Sequence, residues 1–163
     1  MSGRDVQPVF APVLAALGDA IREHYGDRLR ALAVFGSVGR GTAGPDSDID
    51  LLVVADDLPR GRLARVREFE AVERALNAAF AGSAMPPLSP IFKTPAELDA
   101  GSPLLLDMIE DSVVLVDRAG VLRTRLDRLR ARLAELGARR IWRGNAWYWD
   151  LKPDYRPGDV IEL

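Results

Sequence analysis

Apolar positions change period several times along the chain, and each change marks an element. From 8 to 25, Phe10, Val13, Leu14, Leu17 and Ile21 recur at helical spacing, with Pro8 suited to a first turn and Gly26 to a stop. Residues 29–35 (LRALAVF) predict a strand, with Leu29, Ala31, Ala33 and Phe35 alternating against Arg30, Leu32 and Val34. Gly, Ser, Thr and Pro crowd 36–47, which predicts a loop with room for one helical turn. Residues 48–54 (DIDLLVV) predict a second strand, whose continuous apolar end fits cover on both faces.

The same reading continues downstream. Leu63, Val66, Phe69, Val72, Leu76 and Phe80 share one side of a helix over 61–80, ended by Gly82. Three prolines in 86–93 (PPLSPIFK) forbid a helix and predict an edge strand. Thr94-Pro95-Ala96-Glu97 matches a capping box with proline at the first helical position. Ser102-Pro103 opens another helix running to about Asp111, and 112–117 (SVVLVD) is a strand. Leu122, Leu126, Leu129, Leu133 and Leu136 stripe a helix over 121–136 that Gly137 closes. A core role is the ordinary reading of that stripe. Gly144-Asn145 can turn a hairpin in the tail, placing Trp147, Trp149 and Leu151 on one face. The order predicts one α/β (α+β) domain with a small mixed sheet flanked by helices.

Composition narrows the chemistry. The 163 residues contain no cysteine and one histidine, His24, which excludes disulfides, thiolate metal sites and two-histidine zinc centres. His24 has no evident role. The net charge of −2 gives no global attraction to nucleic acid. Asp5, Asp19, Pro8 and Pro12 interrupt the first twenty residues, so no signal-type apolar stretch is expected there. No apolar run nears the ~18 residues of a membrane helix. A cytoplasmic protein is expected.

The chemistry concentrates in one stretch, where Phe35-Gly36-Ser37 is followed after ten residues by Asp48-Ile49-Asp50. Asp48 and Asp50 stand two apart at a strand entry, so both carboxylates point to one face. Paired carboxylates repel unless a cation sits between them, and hard oxygen ligands suit Mg²⁺ with substrate phosphates. A glycine lets the backbone approach a phosphate, and the Ser37 hydroxyl and nearby amides can donate to one. Alone, either motif is commonly a solvated strand entry or a plain turn; the framing and spacing together favour a metal–triphosphate site.

The run FGSVGRGTAGPDSDIDLLVV resembles the signature of the minimal nucleotidyltransferases, small members of the DNA polymerase β-like superfamily. The likeness is tight over 35–54 and follows in element order over 8–93. It implies a nucleotidyltransferase fold and transfer of a nucleoside monophosphate, foremost AMP from ATP, to a hydroxyl. Asp48 and Asp50 are then the catalytic and metal-binding residues, holding two Mg²⁺ ions if active. Gly36 and Ser37 hold phosphates, and Arg40 is a candidate for charge neutralisation, against a plain exposed loop arginine. The resemblance also implies a possible HEPN-type toxin as partner and acceptor. On this basis 1–118 is the nucleotidyltransferase domain, and 119–163 is an extension with a basic helix and Trp-rich tail.

One feature departs from the family pattern. A third carboxylate is expected near 86–92, where Ser89 stands instead. A neutral serine cannot take a proton from an attacking hydroxyl. Glu97, Asp107, Glu110 or Asp111 are candidate substitutes. Otherwise the enzyme works slowly on a macromolecular acceptor, or the chain is a nucleotide-binding interaction module with an inactive site. An aminoglycoside-type transferase ranks last, because the residues after the core are too few and too basic. Nine arginines raise 118–143 to a net +7, leaving −9 elsewhere. They are either a solvated face or a dock for an acidic protein, with RNA less favoured. The three tryptophans are read first as an anchor for the tail, second as a stacking or partner surface.

Overall fold

The structure, a computed structural model, describes residues 7–81, 83, 85–144 and 146–163. Asp5, Gly82 and Asn145, used above, lie outside the described residues. The central strands are β1 (Leu29–Phe35) and β2 (Ile49–Ala55), paired antiparallel. β3 (Leu88–Lys93) runs parallel beside β2, and β4 (Val113–Asp117) runs antiparallel beside β1. The sheet order is β3-β2-β1-β4, so the proline-bearing strand sits at an edge as expected.

Both faces of the sheet are covered, which is why β1 and β2 are apolar almost throughout. On one face, α1 (Ala11–Tyr25) and α3 (Arg62–Ala79) pack Leu17, Ile21, Phe69 and Leu76 on Leu32, Val34, Leu51 and Val53. On the other, α4 (Pro95–Asp99), α5 (Leu104–Asp111) and α6 (Val121–Glu135) cover Ala33, Leu52 and Val54. Leu122, Leu126, Leu129 and Leu133 of α6 are all buried there, so the stripe is core. Each such leucine contributes roughly 1.5–3 kcal/mol by leaving water. Among the described residues no helix is long and apolar enough to cross a membrane.

Two expectations need correction. Pro8 does not lie in the first helix; α1 begins at Ala11, with Pro12 in its first turn. Proline is tolerated only in a helix's opening turn, so Pro12 fixes the start and leaves 8–10 as a turn. Leu63 and Val66 do not join the core, being 75% and 37% exposed. Polar bonds hold that end of α3 instead. Arg65 donates to the Pro59 and Phe92 carbonyls and forks onto Glu97.

The predicted capping box is present. The Thr94 hydroxyl accepts from the Glu97 amide, and the Glu97 carboxylate accepts from the Thr94 amide. The Arg65 fork, then the Thr94 amide, lower the Glu97 pKa to about 2. A depressed carboxyl pKa stabilises the fold above its unfolded value, and that contribution is lost as pH falls from about 4.5 through about 2. Glu97 is 43% exposed, so water screens part of the effect. Glu97→Gln should flatten the acid limb of a stability–pH curve; an unchanged limb would show that other carboxylates govern it.

Four arginines of the basic segment are engaged within the molecule. Arg130 donates to the Ile109 carbonyl and Arg132 to the Glu162 carbonyl. Arg118 pairs with Asp27, and Arg140 with Asp111. These four tie the segment to the body, while Arg123, Arg128, Arg139 and Arg143 stay exposed.

Candidate functional site

Three strand ends meet at one end of the sheet. Asp50 of β2 pairs in register with Phe35, the last residue of β1, and with Ser89 near the start of β3. Alternation along β2 puts Asp50 on the face of Leu52 and Val54, beneath α5. Asp48 precedes the strand by one residue, and its Oδ2 accepts a 2.6 Å hydrogen bond from the Ser89 hydroxyl. Ser89, at the place of the expected third carboxylate, therefore reaches the acid pair as a donor. Among the described residues no group of three His, Cys, Asp or Glu gathers as a metal cage.

Gly36 turns the chain from β1 into α2 (Gly36–Arg40) with φ +64°. A Cβ there would strike the Asp50 carboxylate, lying 2.9 Å from its carboxyl carbon. The backbone of the Gly-Ser turn thus lies directly against Asp50, and only glycine allows it. No side chain caps the first turn of α2, which leaves its amides open to an outside acceptor. Ser37 is the second residue of α2, and its carbonyl accepts from the Thr42 amide, folding the loop back. The predicted loop with one helical turn is this helix and its return.

Burial first, then neighbouring Asp48 and Asp107, raises the Asp50 pKa, while Arg40 lowers it. Asp107 on α5 is likewise raised by burial and lowered by Arg40 and Arg140. Arg40 therefore faces the acid cluster. Gly36, Ser37, Arg40, Asp48 and Asp50 all lie on these adjoining strand ends and on α2. The donor set of two carboxylates, one held by a serine hydroxyl, suits a hard divalent cation such as Mg²⁺.

The candidate substitute acids separate. Glu97 is locked to Arg65 beyond the far end of β3, away from Ser89. Asp111 is 1% exposed and holds Arg140. Glu110 is exposed and lines a cleft of about 510 Å³ with Arg40, Thr42, Arg140, Trp142 and Trp149. Asp107 alone of the four acts on Asp50. The cleft's far wall is the hairpin β5 (Arg139–Arg143) and β6 (Ala146–Asp150). Trp149 packs on the core and donates to the Leu106 carbonyl, as an anchor should. Asp111, a candidate acid by sequence, serves instead as the partner of Arg140, which no sequence signal separates from its arginine run.

A family model described as "Nucleotidyltransferase domain" matches residues 15–116. "Putative protein adenylyltransferase MJ1305" from Methanocaldococcus jannaschii is 32% identical over 111 residues, covering 67% of this chain and 73% of that protein. A crystal structure of a toxin–antitoxin with AMP-PNP aligns at TM-score 0.48 and 20% identity, over 74% of this chain and 92% of that one. The toxin–antitoxin MntA-HepT aligns at TM-score 0.45 and 17% identity, over 76% and 92%. The family match spans the Gly-Ser turn, both aspartates and the edge strand, and with the identity to the archaeal protein it makes this chain a member of the nucleotidyltransferase domain family of enzymes.

Proposed function

We propose that this protein moves AMP from ATP to a hydroxyl on a protein acceptor, with Mg²⁺ held by Asp48 and Asp50. The reading is carried by Asp50, neighbour of Asp48, lying against the Gly36 turn in a chain of this family. Protein as acceptor is favoured by the name of the 32% identical relative. A HEPN-type partner, expected from the resemblance, is the first acceptor to test. Gly36 and Ser37 hold the outer phosphates, and Arg40 offsets their charge. When bound, Mg²⁺ supplies Lewis-acid stabilisation of charge at the α-phosphorus. The protein's own work is to orient the phosphates and exclude other geometries.

Turnover is expected to be slow, because residue 89 offers a hydroxyl donor where a proton acceptor is wanted. The same observation favours a second reading, a nucleotide-binding interaction module without transfer. Incubation with α-phosphate-labelled ATP, Mg²⁺ and a HEPN-type protein separates the two. Label on the partner is the expected result. Ser89→Asp should raise its rate by roughly 10²-fold, the scale of a positioned general base. A full Mg²⁺-dependent thermal response to ATP with no label on any acceptor, in both proteins, would leave only the binding module.

A further inference from the structure

We infer that Arg140, in the hairpin beyond the matched family region, is a positioning residue that holds Asp111 so that Arg40 stays available to nucleotide phosphate. The inference rests on the reading of Arg40 as a phosphate-facing group. Asp111 lies at the end of α5, 1% exposed. It is brought against α2 by Gly39, where any Cβ would strike the Asp111 carbonyl and come within 3.1 Å of the Val34 carbonyl. A carboxylate so buried needs a cation. Arg140 supplies one by a direct hydrogen bond from Nη2 to Oδ2. Arg40 approaches the same oxygen only to 3.8 Å.

Arg140 is built to stay. Its side chain is 13% exposed, and its guanidinium carbon lies 4.1 Å from the Trp147 ring centre and 4.7 Å from that of Trp142. Trp142 and Trp147 are paired across the hairpin register, and both rings hold the cation. Arg40 is 27% exposed and acts on Asp50 and Asp107 as well. It can therefore turn to an incoming phosphate while Arg140 keeps its bond to Asp111. With Arg140 gone, Asp111 competes with the phosphate for Arg40.

The test measures the dissociation constant of MgATP by calorimetry, and KM and kcat for AMP transfer, on the full chain. Arg140→Met keeps an unbranched stem against the indoles but removes the charge. It should weaken MgATP binding and raise KM by about tenfold, with kcat little changed. Asp111→Asn should bind MgATP at least as well as wild type. Arg140→Met combined with Asp111→Asn should return to within about threefold of wild type, because the competing charge is gone. A merely structural pair could also be rescued this way but would move kcat together with KM, so a raised KM at unchanged kcat is the result that marks positioning, and a joint loss overturns it. A double variant as weak as Arg140→Met, or Arg140→Met binding as wild type does, overturns the inference alone. A wild type that binds no NTP overturns the reading of the site and this inference with it.

Discussion

Asp50→Asn should slow AMP transfer by about 10³-fold and remove the Mg²⁺-dependent part of the thermal shift with ATP. The amide keeps the shape of the side chain but loses the charge that holds the cation. A loss of about 4 kcal/mol of charge stabilisation corresponds to that factor. Wild type at an ATP concentration 100 times its dissociation constant should gain ~2.7 kcal/mol. At roughly 2–4 °C per kcal/mol, the melting temperature rises about 5–11 °C. The apo variant should melt no lower than wild type. Asp50 is disfavoured as a carboxylate by burial and by Asp48 and Asp107, so neutralising it relieves the apo fold. Function and stability then move in opposite directions, as expected where a site holds strain for a ligand. Asp48→Ala should behave alike toward ATP. A Mg²⁺-dependent shift that survives both substitutions would place the metal elsewhere.

Gly36→Ala should destabilise the apo protein by about 2–4 kcal/mol and abolish the ATP shift. Two costs add: roughly 1 kcal/mol for a side chain at positive φ, and roughly 1–3 kcal/mol for pressing a methyl into the Asp50 carboxylate. Gly41→Ala is the matched control. Its φ is +74°, yet nothing lies within 4 Å of the added Cβ. It should cost only about 1 kcal/mol and leave ATP binding intact. The difference between the two isolates the close approach of the turn to Asp50. Equal losses in stability and equal retention of the ATP shift would mean that this approach does not shape the site.

Much of the fold was legible locally. The strand over 29–35, the edge strand, the Thr94 capping box and the α6 stripe were all readable, because each is governed by neighbours within a few residues. The candidate site was legible as a pair of motifs, Gly36-Ser37 and Asp48-x-Asp50, since strand alternation and glycine's backbone freedom are local properties. Spacing alone does not fix the start of α1, because two prolines four apart offer two first turns and only packing chooses between them. Leu63 and Val66 looked like core for the same reason: spacing reports a face, and the rest of the fold decides how far that face is covered.

What the sequence alone determined, then, is the set of elements and the two motifs that carry the chemistry. Their surroundings were set by packing between distant parts of the chain. It put Ser89 in a hydrogen bond with Asp48, Glu97 at the far end of β3, and Asp107 beside Asp50. It also joined Arg140 to Asp111 across 29 residues, bringing a hairpin to the edge of the site. The physical reason is range. Backbone propensity and side-chain period act over a turn or a pleat, whereas desolvation and charge pairing act through space, between residues that chain order leaves far apart.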